Sequence, residues 1–315
     1  MKKHLFIVNP IAGKGRQSFE KTLTLIREFA GELSEENEVY VTKSPEEACA
    51  KIKADAVEVE NLIVYACGGD GTLNGCINGA VGLSNTAVTN YPCGTGNDFI
   101  KTFGKNNFER FRSLAALSRG TAYPMDVISC NDRYGVNICS VGFDARIGAD
   151  VHKYSKIPFI GGATGYVISL IANTIKGVAE KFRIVSGAGD FNGEYTLACA
   201  CNGRYYGGGF NPVPEASPFD GQIEYLIVQG VPRRRVAGLV MKYAGGRYRE
   251  LGNLITHVRG GDMTISAEKE FCVNIDGEII RTSQARFSVA AGGVNFILPE
   301  GLDAQLSQMI ISEMA

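Results

Sequence analysis

Leu62-Ile-Val-Tyr-Ala-Cys67 runs directly into G-G-D-G-T, Gly68 to Thr72, and Thr86-Ala-Val-Thr89 leads into P-C-G-T-G-N-D, Pro92 to Asp98. Each apolar run bounded by glycines reads as a buried strand, and helix-compatible sequence follows each turn. A strand, a glycine turn and a helix start together make an anion site. Glycine lets a ligand approach the backbone, and unpaired N–H groups at a helix N-terminus point at it. Asp70 and Asp98 would repel phosphate but suit a metal that accompanies it. Either turn alone could be an ordinary tight turn capped by Asp, Asn and Thr. Two of them on neighbouring strand–helix units favour a nucleotide site.

Working outward from this stretch, Leu5-Phe-Ile-Val8 is a short buried strand ending at Asn9-Pro10. The following I-A-G-K-G-R, Ile11 to Arg16, lacks Walker spacing, and no G-x-G-x-x-G follows any strand. Phe19, Leu23, Ile26 and Ala30 recur at helical spacing. Glu38 to Thr42 reads as a second strand, and Ser44-Pro45-Glu-Glu47 as a capped helix start. The β-α-β-α-β-α-β series implies a parallel sheet with helices on both faces, and ligands in such sheets sit beyond the carboxyl ends of the strands. From about Tyr123 the pattern changes to short alternating runs between turn signals, among them Phe271 to Ile275 and Ala285 to Val289. These suggest an antiparallel sandwich. The expected organisation is an α/β nucleotide-binding domain over residues 1–125 and a β-sandwich over 126–295. Residues 296–315, with a helix over 302–314, are expected to return to the first domain.

With 315 residues, 45% hydrophobic and 21% charged, the chain has an ordinary soluble composition. A net charge of -1 gives no global pull toward nucleic acid. Nine scattered cysteines without a C-x-x-C pair argue against zinc or a disulfide framework and fit reduced thiols in the cytosol. Lys2-Lys3 passes into an apolar run too short for a signal peptide. The long uncharged stretch Ile157 to Ile175 is broken by Pro158 and three glycines, so it reads as a loop and a buried helix rather than a membrane span.

Beyond the two turns, Asp276-Gly277 lies between apolar runs, where spacing alone gives a hairpin turn. Asp220-Gly221 reads the same way. Residues 231–259 carry Arg233, Arg234, Arg235, Lys242, Arg247, Arg249 and Arg259. Val236, Leu239, Val240 and Tyr243 interleave with them at helical spacing. A solvated face on a core helix competes here with docking on an anionic membrane, which attracts each nearby Lys or Arg by about 1 kcal/mol.

G-G-D-G-T-L-N (68–74) and P-C-G-T-G-N-D-F (92–99) resemble the catalytic domain of the diacylglycerol kinase and sphingosine kinase superfamily, in its soluble bacterial branch. The similarity continues through N-P-x-A-G-K-G (9–15), Thr42, Met125-Asp126 and V-G-F-D-A (141–145). It extends over C-N-G-R-Y-Y-G-G-G-F (201–210), P-E-A-x-P-F-D-G (214–221) and I-D-G-E (275–278), which is nearly the whole chain in order. The resemblance implies the same two-domain plan, with the active site in the cleft, and ATP with Mg²⁺ as cofactors. It makes Asp276 the general base and Glu278 its support. Gly68, Gly69, Asp70, Gly71, Thr72 and Asn74 would form the phosphate cradle, with Gly94, Thr95 and Asn97 opposite. Asn9, Pro10, Ala12, Gly13 and Thr42 would hold the rest of the nucleotide. Asp70, Asp98 and Asp126 would be the carboxylates at the active-site Mg²⁺. A structural Mg²⁺ in some members falls on the segment matching 214–221. Glu215 and Asp220 remain there, but Pro218 and Phe219 stand where those members have acids, which weakens that second site.

The activity implied is transfer of the ATP γ-phosphate to a lipid hydroxyl, diacylglycerol foremost. The partner would be an anionic membrane reached through Arg233, Arg234, Arg235 and Lys242. The expected location is the cytoplasm, reversibly at the inner face of the membrane. A homodimer remains open. Two rivals share the fold: an NAD kinase, whose second turn typically lacks G-T-G-N-D, and a non-catalytic lipid-binding protein, which intact Asp70, Asn97, Asp98, Asp276 and Glu278 argue against.

Overall fold

A computed structural model describes residues 1–13, 15–154, 169 and 172–302. The first half alternates as the apolar runs require: β1 (Lys2–Val8), α1 (Arg16–Glu32), β2 (Glu36–Val41), α2 (Pro45–Glu58), β3 (Asn61–Gly68), α3 (Asp70–Ala80) and β4 (Thr86–Pro92). β2, β1, β3 and β4 pair in parallel in that order. Leu23, Ile26 and Ala30 of α1 and Ala48, Ile52 and Ala56 of α2 are buried in one core with Phe6, Val64 and Tyr65. Ser44 caps α2 by accepting from the Glu47 N–H, and Pro45 opens the helix. Short helices α4 (Asp98–Lys101), α5 (Lys105–Phe111) and α6 (Leu114–Ser118) complete this half.

The second half holds β5 (Thr121–Cys130), β6 (Arg133–Gly135), β7 (Ile138–Gly142), α7 (Phe143–Tyr154), β8 (Glu180–Ser186), β9 (Gly189–Cys201) and β10 (Glu224–Gln229). After a 3-10 turn at Arg233–Arg235 come α8 (Val236–Ala244), a further 3-10 stretch at Tyr248–Leu254, β11 (Ile255–Arg259), β12 (Met263–Ile275) and β13 (Glu278–Leu298). The strands are antiparallel and enclose a core containing Phe182, Ile184, Tyr225, Met263 and Phe287. Another core, with Ile147, Leu197, Leu226 and Tyr243, lies under α7 and α8. All nine cysteines are free, and none is exposed.

The short strands expected at Phe271 to Ile275 and Ala285 to Val289 are each part of one longer strand. β12 runs through a register shift between Ser266 and Phe271, and β13 through one between Ala290 and Val294. Ala290-Ala-Gly-Gly293 looks like a turn but forms a bulge, with Gly292 at φ 55°. β13 thus leaves the sandwich and pairs in parallel with β4 at Asn295 and Phe296, so one sheet runs from β11 to β2. The expected helix over 302–314 and most of Ile157 to Ile175 lie outside the described residues.

Asp126 fastens this junction. Its carboxylate accepts the Gly292 N–H at 2.8 Å, from the β13 bulge, and the Gly221 N–H at 2.6 Å. Its own N–H donates to Pro218 O at 2.8 Å, and its carbonyl accepts from Asn202 Nδ2 at 2.9 Å. Asp126 is 3% exposed. The resemblance implied a place for it with Asp70 and Asp98 at a metal; here its carboxylate is a strut from β5 to the β13 bulge and to the loop at Gly221, each oxygen taken by a backbone amide. Asp126→Ala leaves both amides without their acceptor. It is expected to lower the unfolding free energy by about 2–4 kcal/mol, read by urea denaturation. A loss below about 0.5 kcal/mol would remove the strut.

Candidate active site

The two glycine turns are bonded to each other. Cys93 and Gly94 both donate their N–H to Gly68 O, at 3.1 and 3.2 Å. A Cβ on Gly94 would fall 2.3 Å from Gly69 Cα, and one on Gly68 would fall 2.2 Å from Thr72 Oγ1. Only glycine permits backbones this close. Asn97, at φ 50°, braces the second turn by accepting from Gly94 N at 3.2 Å and donating to Gly94 O at 2.8 Å. α3 begins after Gly69 with no side chain capping its first amides, which leaves an anion-binding helix end beside the second turn. The loop after β1 closes one side. Asn9 Nδ2 donates to Thr72 Oγ1 at 3.0 Å, Asn9 Oδ1 accepts from Ile11 N at 3.0 Å, and a Cβ on Gly13 would be 3.1 Å from Cys93 O. Pro10 and Thr95 are exposed and Ala12 half-buried. Thr42 is buried, with its hydroxyl spent on Ser44 O at 2.7 Å.

Asp70 and Asp98 face each other across Gly96. A Cβ there would be 2.7 Å from Asp70 Oδ2 and 3.8 Å from Asp98 Oδ2. Asp70 Oδ1 accepts from Phe99 N at 3.2 Å. Burial, then the neighbouring Asp98, push the Asp70 carboxyl up to about 6, with a smaller push from Asp276. Asp98 accepts from Lys101 Nζ at 2.5 Å and from Gly208 N, across the cleft, at 2.7 Å. Hard oxygens whose charges repel suit Mg²⁺, which takes one or two carboxylates together with phosphate oxygens. Among the described residues no three His, Cys, Asp or Glu gather as a metal cage.

Asp276 occupies the turn between β12 and β13 at φ 49°. Oδ1 accepts from Asn137 N at 2.9 Å and Ile138 N at 3.0 Å, and Oδ2 from Val136 N at 2.5 Å and Asn74 Nδ2 at 3.0 Å. These four donors fill the lone-pair directions of a carboxylate. Burial nevertheless holds its pKa above the usual carboxylate value. Asn74, expected in the phosphate cradle, donates its amide to Asp276 and to Tyr134 O at 2.9 Å and so ties α3 to the second half. Glu278 is exposed and borders a cavity of about 380 Å³ with Pro45, Asn74, Asn78 and Arg133.

The segment expected to hold a second metal is neutralised by arginines. Glu215 accepts from Arg249 at 2.6 Å and from the Tyr248 hydroxyl, and Asp220 from Arg259 at 2.8 Å. Arg259 also reaches Glu224 at 3.0 Å. The basic cluster is only partly as expected. Arg233, Arg234 and Arg235 are exposed, but Val236, Leu239 and Tyr243 face the core and cannot insert into a bilayer. Lys242 pairs with Glu250 at 3.3 Å. Met241, 69% exposed, is the large apolar side chain that α8 leaves outside. Sequence reasoning missed Lys101 and Gly208. The first is legible as a cation three residues after Asp98; the second becomes visible only when the cleft is assembled.

Because Asp70 titrates near 6 when folded and near 3.8 otherwise, the folded chain binds its proton more tightly. Stability therefore falls as pH rises through this window and levels off above it. Without added metal, Asp70→Asn is expected to exceed the parent by on the order of 2–3 kcal/mol above about pH 6. Below about pH 4 the two should coincide, as urea denaturation across pH would show. A constant difference would mean that Asp70 is not the strained group.

Residues 3–130 match the model described as the diacylglycerol kinase catalytic domain, and residues 137–298 match the YegS C-terminal NAD kinase beta sandwich-like domain. A Staphylococcus haemolyticus (strain JCSC1435) protein named "Putative lipid kinase SH2167" is 28% identical over 268 residues, covering 84% of each chain. The Staphylococcus aureus (strain MRSA252) "Putative lipid kinase SAR0780" is 28% identical over 234 residues, covering 73% of this chain and 75% of its own. A solved Bacillus anthracis str. Sterne structure titled "putative diacylglycerol kinase" superposes with TM-score 0.72 at 25% identity, covering 96% of this chain and 98% of that one. With the two matched segments spanning nearly its whole length in the same order, this chain belongs to the family that joins a diacylglycerol kinase catalytic domain to a YegS-type sandwich.

Proposed function

We propose that the protein transfers the γ-phosphate of ATP to the hydroxyl of a lipid, with diacylglycerol the leading acceptor and phosphatidic acid the product. The observation that carries this reading is the pair of interlocked glycine turns with Asp70 and Asp98 facing each other beside an uncapped helix end. Phosphoryl transfer needs in-line positioning and charge neutralisation, and this arrangement offers both. The α3 amides and the Gly94 turn hold the phosphates, and the cavity bordered by Asn78, Arg133 and Glu278 has room for the nucleoside. Asp70 and Asp98 would hold Mg²⁺, which supplies charge neutralisation across the phosphates. Lys101 keeps Asp98 oriented.

Asp276 takes the proton of the attacking hydroxyl. Its Oδ2 becomes available when the substrate hydroxyl displaces the Asn74 amide, the one donor of the four that comes from the opposite domain. Asp276→Ala is expected to keep nucleotide binding while lowering transfer by about 10²–10⁴, measured with labelled ATP against a panel of lipids and NAD. Retention of half the activity would remove Asp276 from the chemistry. Phosphorylation of NAD alone would overturn the lipid reading.

The lipid is reached at the cytoplasmic face of an anionic membrane. No helix among the described residues is long and apolar enough to cross one. Arg233, Arg234 and Arg235 sit exposed on one turn, so docking is electrostatic. Replacing all three with glutamine removes about 3 kcal/mol of attraction. Binding to anionic vesicles in low-salt sedimentation is then expected to weaken by roughly a hundredfold. Equal sedimentation of variant and parent would leave this patch an ordinary solvated face.

A further inference from the structure

The segment 214–221, where the resemblance set a structural Mg²⁺, turns its residues to other partners. Pro218 gives its carbonyl to the Asp126 N–H at 2.8 Å. Phe219, 4% exposed, joins the core of the first half, its ring 6.3 Å from that of Phe103. Neither position supplies charge; both serve the domain junction. The two acids that remain, Glu215 and Asp220, are each paired with an arginine. Glu215 and Arg249 meet near the surface, but the Asp220 side chain is largely buried.

Arg259 stands on β11 directly across from Glu224 on β10. Its guanidinium lies 2.8 Å from Asp220 Oδ2 through Nη2 and 3.0 Å from Glu224 Oε1 through Nε. Glu224 is buried, and its other oxygen pairs with His257 Nε2 at 2.5 Å. Two buried carboxylates against one small volume repel each other unless a cation lies between them. A third is close by, because the residue after Asp220 is Gly221, whose N–H holds Asp126. Burial first, and the charge of Asp220 as well, push the Asp126 carboxyl up. Arginine meets this need without a ligand: it is always charged, and its planar fork serves two carboxylates at once. Mg²⁺ instead needs an octahedron of oxygens at about 2.0–2.1 Å. Here the facing oxygens of Asp220 and Glu224 are taken by guanidinium nitrogens, so the residues present do not fit that ion.

We propose that Arg259 is a built-in cation and a positioning residue: by holding Asp220 it fixes Gly221 against Asp126, and the junction of the two halves needs no structural metal. This concerns the fold of the segment and holds whichever acceptor the cleft phosphorylates.

The experiment is urea denaturation of the full chain, in chelator and in millimolar Mg²⁺, in a background carrying Asp70→Asn and Asp98→Asn so that cation binding in the cleft does not contribute. The background alone should unfold at the same urea midpoint in both media. Adding Arg259→Met should lower the midpoint in chelator, and Mg²⁺ should restore at least half of that loss, because Asp220 and Glu224 are then free to take it. Arg259→Lys, which keeps the charge, should recover the midpoint without Mg²⁺. Asp220→Asn together with Arg259→Met should abolish the response to Mg²⁺. A background whose midpoint rises with Mg²⁺ overturns the proposal. So does an Arg259→Met variant that is as stable as the background, or that gains nothing from Mg²⁺, including one that fails to fold in either medium.

Discussion

The backbones of Gly69 and Gly94 approach so closely that a Cβ on Gly94 would lie 2.3 Å from Gly69 Cα. The N–H groups of Cys93 and Gly94 converge on one carbonyl, that of Gly68, and this fixes the distance between the ends of β3 and β4. Everything acidic in the cleft inherits that distance. Asp70 starts the helix after the first turn and Asp98 the helix after the second, so their separation is set by the glycines. Burial first, and then repulsion from Asp98, raise Asp70, and both follow from this backbone geometry.

The two domains are joined by acids and amides rather than by an apolar interface alone. β13 carries the sheet from one to the other, and its bulge needs the Asp126 carboxylate to hold Gly292. On the cleft side, Asn74 and Asn78 stitch α3 to Tyr134 and Asp276, while Gly208 reaches back to Asp98. Each contact joins an element of the first domain to an element of the second. Domain movement that admitted a substrate would have to exchange these hydrogen bonds, each with a net worth of only about 1 kcal/mol, for bonds to the ligand. The cleft can therefore adjust while β13 keeps the two halves in register.

Much of this was legible in the sequence. Apolar periodicity marked β1, β3, β4, α1 and α2, because those elements bury one face or both and the pattern records burial. The glycine turns were legible because close approach excludes every other residue. Less legible was what each carboxylate would touch. Asp126 is local to no motif that reveals Gly221 and Gly292 as its partners, which lie 95 and 166 residues away. Asn74 sits one turn into α3 and was read with its neighbours as part of the cradle, whereas helical rotation carries its side chain to the opposite domain. The interleaved apolar residues of α8 were read correctly as one face, but periodicity cannot say whether that face meets a core or a bilayer. The β13 bulge was hidden by a glycine pair, which marks a turn and a bulge alike.

Four aspartates in this cleft and its surroundings show how one side chain is turned to different ends. Asp126 is held by two amides and is structural. Asp276 receives four donors, one from the other domain, so its basicity depends on whether that donor stays. Asp70 accepts from the Phe99 and Asp98 amides, but it is buried beside a like-charged neighbour, and its pKa is raised. Asp144 has two hydroxyl partners, Ser140 and Tyr206, and burial raises its pKa. Donors and nearby charges therefore give each of the four carboxyl groups a different setting, although all four are aspartate. Those settings cannot be read from motif spacing, because most of the donors are backbone amides that the fold delivers from distant parts of the chain.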